Sequence, residues 1–175
     1  MFYLKDGVRY YAGKAFTYGD VQYSPSGATH DKFIELGFTP VTIQDKPDTR
    51  FYYVTNLNDD GSWDSSPIDL ALLKDQYVRA EKVRSREILK VTDWLVVRFA
   101  ENNTAIPVDV ETFRDNVRLI SSDNCAEINA CADLASLIAL VGADRQIEDP
   151  NNPGTFIANP SGLAEFPEEV SGYDY

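Results

Sequence analysis

Over the first 65 residues, apolar and polar positions alternate in short runs; beyond them the period lengthens. In "LKDGVRYY" (4–11), Asp6-Gly7 separates two alternating stretches, a tight-hairpin signal because such turns favour residues that tolerate positive φ. Gly19-Asp20 marks a second turn in "FTYGDVQY", followed by a Pro/Ser/Gly loop. "DKFIELGFTPV" reads as one helical turn stopped near Gly37 and continued as a short extended piece. "RFYYVTNLNDDG" supplies a strand over 50–55 and then an Asp60-Gly61 turn. These runs predict a small all-β, sandwich-like module over residues 1–65.

From Ser66 the pattern becomes helical. Ser66 has the chemistry of an N-cap and Pro67 suits the first helical position. The chain then runs to Asn102 without Gly or further Pro, so the pattern predicts one continuous helix of about 35 residues, roughly 50 Å long. "KVTDWLVVRFAEN" (90–102), although rich in β-branched residues, reads as its end, because propagation is easier than nucleation. Leu70, Leu73, Tyr77 and Ala80 make one apolar face in the first half, and the middle, "RAEKVRSRE", is polar on most sides. At the end, Ile88, Val91, Trp94, Leu95 and Phe99 exceed what one antiparallel helix covers. Burial under the β module or in a subunit interface is expected there, which makes these residues candidates for a helical core and for oligomerisation. "NNTAIPVD" breaks the helix, and a second starts near Val108. Asp133 then caps a short third helix closed by Gly142. Residues 66–142 thus form a predicted helical hairpin, and 143–175, rich in Pro, Gly, Asn and acid, an extended acidic C-terminal arm with at most one hairpin. The predicted fold class is α+β.

Charge narrows the partners. Residues 119–175 hold ten acids and a single base, Arg145, which accounts for −9 of the net charge of −12. Nucleic acid and anionic membrane surfaces are poor partners for such a chain. No apolar run is long enough to span a bilayer, and the N-terminus lacks signal-peptide character, so the chain is expected to stay where it is made. Cys125 and Cys131 do not form a disulfide framework; on one straight helix they would face different ways, too far apart to bridge.

Candidate chemistry is sparse. His30 is the only histidine, with no nucleophile motif around it, and no metalloprotease, hydrolase, phosphate-loop or dinucleotide motif occurs. Asn56, Asn58, Asp60, Gly61 and Asp64 echo a calcium loop, but Pro67 stands where the bidentate Glu belongs, so a hairpin turn is the reading. No catalytic residue, metal site or cofactor is expected. Ten Tyr and nine Phe are many for this length, and Tyr supplies broad contact area at low entropic cost. Tyr10, Tyr11, Tyr18, Tyr23, Phe51, Tyr53 and Trp63 are therefore candidates for a protein-binding surface. Asp93 has Arg114 or Arg118 as a partner across the hairpin, and Arg98 is placed to cover Trp94. These four charged residues form a predicted structural network.

Thr92-Asp93-Trp94, Val97-Arg98, Glu101, Ile106-Pro107, Phe113-Arg114 and Val117-Arg118 together resemble the helical-hairpin segment of bacteriophage tail fibre assembly proteins and related tail accessory proteins. The resemblance covers residues 67–120, extends more weakly over 33–66 through "ELGFTPV" and "FYYVTNLNDDGSW", and is absent over 1–32. The loop "ENNTAIP" lacks the usual glycine turn, and the acidic arm is longer than the family's short ending. The resemblance implies a chaperone rather than an enzyme. It would bind the distal part of the tail fibre subunit through the β module, self-associate through the helical region in a complex of three chaperones with three fibre chains, and act in the cytoplasm of the infected bacterium. A structural component retained on the fibre tip or baseplate of the virion is the alternative.

Overall fold

A computed structural model describes residues 1–149, 152, 154–168 and 170. The fold is α+β, with a strand-rich N-terminal part followed by helices. It divides into two compact units, Met1–Ile68 and Asp69–Tyr175. The division falls three residues later than the predicted 65/66 boundary, and the described part of 143–175 groups with the helices.

The first unit is built from three small antiparallel sheets, a 3-10 turn at Pro25–Gly27 and one short α-helix. Strand β1 (Phe2–Lys5) pairs with β2 (Val8–Tyr10) across the Asp6-Gly7 turn, where both residues take positive φ. Gly19-Asp20 turns β3 (Phe16–Tyr18) into β4 (Val21–Tyr23). Thr29 caps α1 (His30–Glu35) by accepting from the Lys32 amide, and Gly37 at φ 75° ends it. The chain returns as β5 (Thr39–Val41) on the other edge of β1. β6 (Tyr52–Leu57) and β7 (Trp63–Pro67) make the third sheet. Tyr3, Ala28, Phe33 and Phe38 form a buried cluster, with Tyr10, Phe16, Tyr18 and Leu36 packed against it. The Tyr3 and Phe33 rings stack at 4.3 Å between centroids.

The helical start differs from the prediction. Ser66 and Pro67 remain in β7, paired with Tyr53 and Tyr52. Asp69 is the cap, accepting from the Leu72 amide at 3.0 Å. Pro67 closes the strand, a position where its missing N–H removes no interior ladder bond.

The predicted single helix is two helices. α2 spans Leu70–Lys90 and α3 spans Asp93–Asn102, with Val91 and Thr92 between them. Asn103, at φ 56°, ends α3 in the left-handed region that Asn tolerates better than most side chains. α4 (Val108–Ala130) returns antiparallel to α2, and α5 (Leu134–Gly142) follows, capped by Asp133. The arm forms one hairpin of β8 (Gln146–Glu148) and β9 (Phe156–Ala158). It then lays Leu163 and Phe166 into the helical core, at 4% and 7% exposure. Phe166 joins Phe113 and Val117, with Ile88 and Leu89 of α2 packed on the same cluster.

Candidate functional site

The inward stripe of α4 is Val110, Phe113, Arg114, Val117, Ser121, Asn124 and Ile128, a regular spacing of three and four residues. Three of its members are polar; Arg114 and Asn124 bond to α2 or its end, and Ser121 lines a cleft with Ser85. The "RAEKVRSRE" stretch, polar on most sides in sequence, buries Glu81, the partner of Asn124, and Ser85.

Arg114 makes an elbow. It is 7% exposed. Its Nη1 donates to the Leu89 carbonyl at 2.9 Å and to Thr92 Oγ1 at 2.7 Å, and Nη2 donates to Asp93 Oδ1 at 2.9 Å. The Asp93 side chain is 55% exposed, so the pair joins a buried cation to a carboxylate at the surface. Arg118 is not part of the elbow; it pairs with Asp115 on its own helix at 3.0 Å. Arg98 lies over the Trp94 ring, 5.0 Å from guanidinium to centroid. Beside the elbow a cleft of roughly 500 Å³ is lined by Val96, Phe99, Ile106, Glu111, Arg114, Asp115 and Arg118.

Asn124 makes a clasp. Its amide nitrogen donates to Glu81 Oε2 and to the Ala164 carbonyl, each at 3.0 Å, and its oxygen accepts from the Ala164 amide at 2.9 Å. Arg145, the lone base of the acidic third, donates to the same Ala164 carbonyl at 2.6 Å and pairs with Glu81. One residue of the arm, Ala164, is thereby bonded at both its N–H and its C=O. A buried Glu81 holds it in place only because Arg145 supplies the opposite charge.

The five helix-end candidates divide. Leu95 is buried, Ile88 packs on the Phe113 cluster, and Val91 and Trp94 are half-buried. Phe99 is 47% exposed, with Val97 beside it at 54%. The seven aromatic candidates divide too. Phe51 is buried, Tyr10 and Tyr18 pack against the first unit's core, and Tyr23 stacks on Phe16 at 4.6 Å. Trp63 is half-buried; its indole donates to the Gln44 carbonyl and Lys46 lies over its ring. Tyr11 and Tyr53 are exposed, at 38% and 56%.

The turn at 56–64 is a hairpin connection. Asn58 donates to Asp64 and to Ser62, and Asp60 accepts from the Ser62 amide and hydroxyl. The Ser62 hydroxyl and amide hold the Asp60 carboxyl below its usual range. His30 shares a hydrogen bond with Tyr3 Oη at 2.8 Å. Among the described residues no group of three or more His, Cys, Asp or Glu is placed to hold a metal ion, and no helix is long and apolar enough to cross a membrane.

Sequence reasoning missed Glu81, Asn124 and Arg145 as a connected set, and Ser85 and Ser121 as buried positions. Two signals pointed to them: Arg145 is the only base after Arg118, and Ser121 and Asn124 stand at stripe positions of α4. No family model matches this chain, and neither a curated protein nor a solved structure is similar to it.

Proposed function

We propose that this chain is a tail fibre assembly chaperone and not an enzyme. It would hold the distal part of the fibre subunit while that subunit folds and trimerises. The observation that favours the reading is the surface of the first unit. Tyr11 and Tyr53 stand exposed on it, and β3–β4 and β6–β7 are two-stranded sheets, so each strand has an edge unpaired among the described residues. An extended client is recognised by such edges through its main chain and by aromatic anchors through its side chains. Intertwined fibre chains expose both strand edges and apolar surface before they associate. The helical unit would supply self-association around Phe99, Val97 and Trp94, with three copies per fibre trimer.

Co-expression with the fibre subunit of the same phage tests this. The two are expected to co-purify in a one-to-one ratio by light scattering. Tyr11→Ser with Tyr53→Ser should abolish capture while the chain stays folded. Fibre trimers forming in equal yield without the chain would reject the proposal. Finding the chain in purified virions would favour the alternative, a retained tail component.

A further inference from the structure

Between the elbow and the clasp, α2 and α4 leave a second cleft, of roughly 340 Å³, lined by Lys82, Ser85, Arg118, Ser121, Ser122 and Cys125. The lining has two cations, three hydroxyls and one thiol, and no carboxylate. This is notable in a chain of net charge −12, where a cationic pocket does not arise from average composition.

Ser85 and Ser121 are each 8% exposed. Among the described residues the Ser85 hydroxyl has no hydrogen-bond partner and Lys82 has no ion-pair partner. Arg118 gives Nη1 to Asp115, which lies outside this lining, and keeps its other N–H groups. An unpartnered hydroxyl on the wall of a cleft is free to donate to a group that enters it. Water alone would satisfy the hydroxyl, but it gives no reason for two cations to converge there.

We propose that this cleft binds a phosphate group, with Lys82 and Arg118 supplying the charge and the hydroxyls of Ser85, Ser121 and Ser122 donating to its oxygens. Donors on both helices suit a tetrahedral oxyanion, whose oxygens point in several directions, better than a planar carboxylate. Cys125 is a neutral wall of the site. Burial pushes its thiol above the ordinary range, outweighing the opposing effect of nearby Lys82, so it stays protonated and is a poor nucleophile. The site therefore binds without covalent chemistry. Because the cleft lies wholly within the helical unit, this inference does not depend on the chaperone reading.

The test is a titration of the ¹⁵N-labelled full chain with inorganic phosphate at about pH 7.5, where free phosphate and a phosphate ester are both mainly dianionic. Sodium chloride at matched ionic strength is the control. Saturable amide shifts are expected at Lys82, Ser85, Arg118, Ser121, Ser122 and Cys125 with phosphate and not with chloride. Lys82→Gln changes an exposed side chain, so the fold is retained, and should weaken binding roughly tenfold through loss of one charge-assisted contact. O-phosphoserine separates the sources: tighter binding than inorganic phosphate assigns an ester-borne group, and equal or weaker binding assigns the free ion. No saturable shifts, shifts scattered over other basic residues, or undiminished affinity in Lys82→Gln would overturn the site.

Discussion

Arg114 donates through Nη1 to the carbonyl oxygen of Leu89 at 2.9 Å. In an uninterrupted helix that carbonyl would accept from the amide of Asp93. Here it also accepts from the Thr92 amide and from Thr92 Oγ1, both at 3.1 Å. These donors on one oxygen replace the ordinary ladder bond, α2 stops, and α3 starts anew with the Asp93 carboxylate in its first turn, where the helix dipole favours it. Arg114 thus sets the position of the bend.

The two ends of the Arg114–Asp93 pair should respond unequally. Arg114→Ala removes the buried donor at the bend and leaves a void in the helical core, and is expected to cost about 2–4 kcal/mol. Asp93→Ala removes a half-exposed partner and should cost about 1 kcal/mol or less. Urea unfolding of both variants and of the double variant checks this. Equal losses would show that the pair, rather than the captured carbonyl, dominates.

Arg145→Met should free the arm. Glu81 is left as a buried carboxylate without its cation, an expected loss of about 3–5 kcal/mol. Glu81→Gln combined with Arg145→Met should recover part of it, since Asn124 still reaches the side chain at position 81. Limited proteolysis provides the local readout: cleavage within 146–166 should rise sharply in the single variant and less in the double.

Gly61 tests the third sheet. It takes φ 85°, and a Cβ there would lie 2.1 Å from the Thr42 carbonyl oxygen. The Gly61 carbonyl meanwhile accepts from the Gln44 amide at 2.8 Å. Gly61→Ala is expected to destabilise the first unit by more than about 1 kcal/mol, because strain and steric displacement act together. Loss of protection from hydrogen exchange at the Gln44 amide would localise the effect, and an unchanged melting curve would contradict it.

Acid should loosen the cap of α5. The Ser136 amide and hydroxyl hold the Asp133 carboxyl below its ordinary value. A lowered folded pKa means the cap contributes its stability above the unfolded aspartate value and loses it as pH falls through the folded one. A carboxyl-carbon NMR titration of Asp133 should give a midpoint below that of an unfolded peptide. Ser136→Ala should move that midpoint upward.

Phe99 separates packing from the proposed self-association. At 47% exposure, its truncation should change the unfolding of the chain little. A central aromatic anchor, however, is typically worth about 2 kcal/mol or more of association. Phe99→Ala should therefore lower the oligomeric mass in light scattering while the melting temperature holds. Leu95→Ala, at a buried position, should do the reverse.

The sequence alone determined the features whose causes lie within a few residues. Asp6-Gly7 and Gly19-Asp20 turn their hairpins because those residues tolerate the required backbone geometry. Asp133 caps α5 because its carboxylate reaches the Ser136 amide three residues on, and Gly37 ends the short helix for an equally local reason. Tertiary structure decided what depends on distant partners. Thr92 adds local donors to the Leu89 carbonyl, but the buried donor that captures it comes from 25 residues away. Ser66-Pro67 is a sound local helix start, but pairing with Tyr52 and Tyr53 retains it in a strand and passes the cap to Asp69. Glu81 looks like a solvated position in a polar stretch until Asn124 and Arg145 close over it, and the acidic arm looks free until they take hold of Ala164. Propensity and pattern are properties of neighbours along the chain. Burial of a charge depends on whether the fold brings an opposite charge and enough donors to meet it.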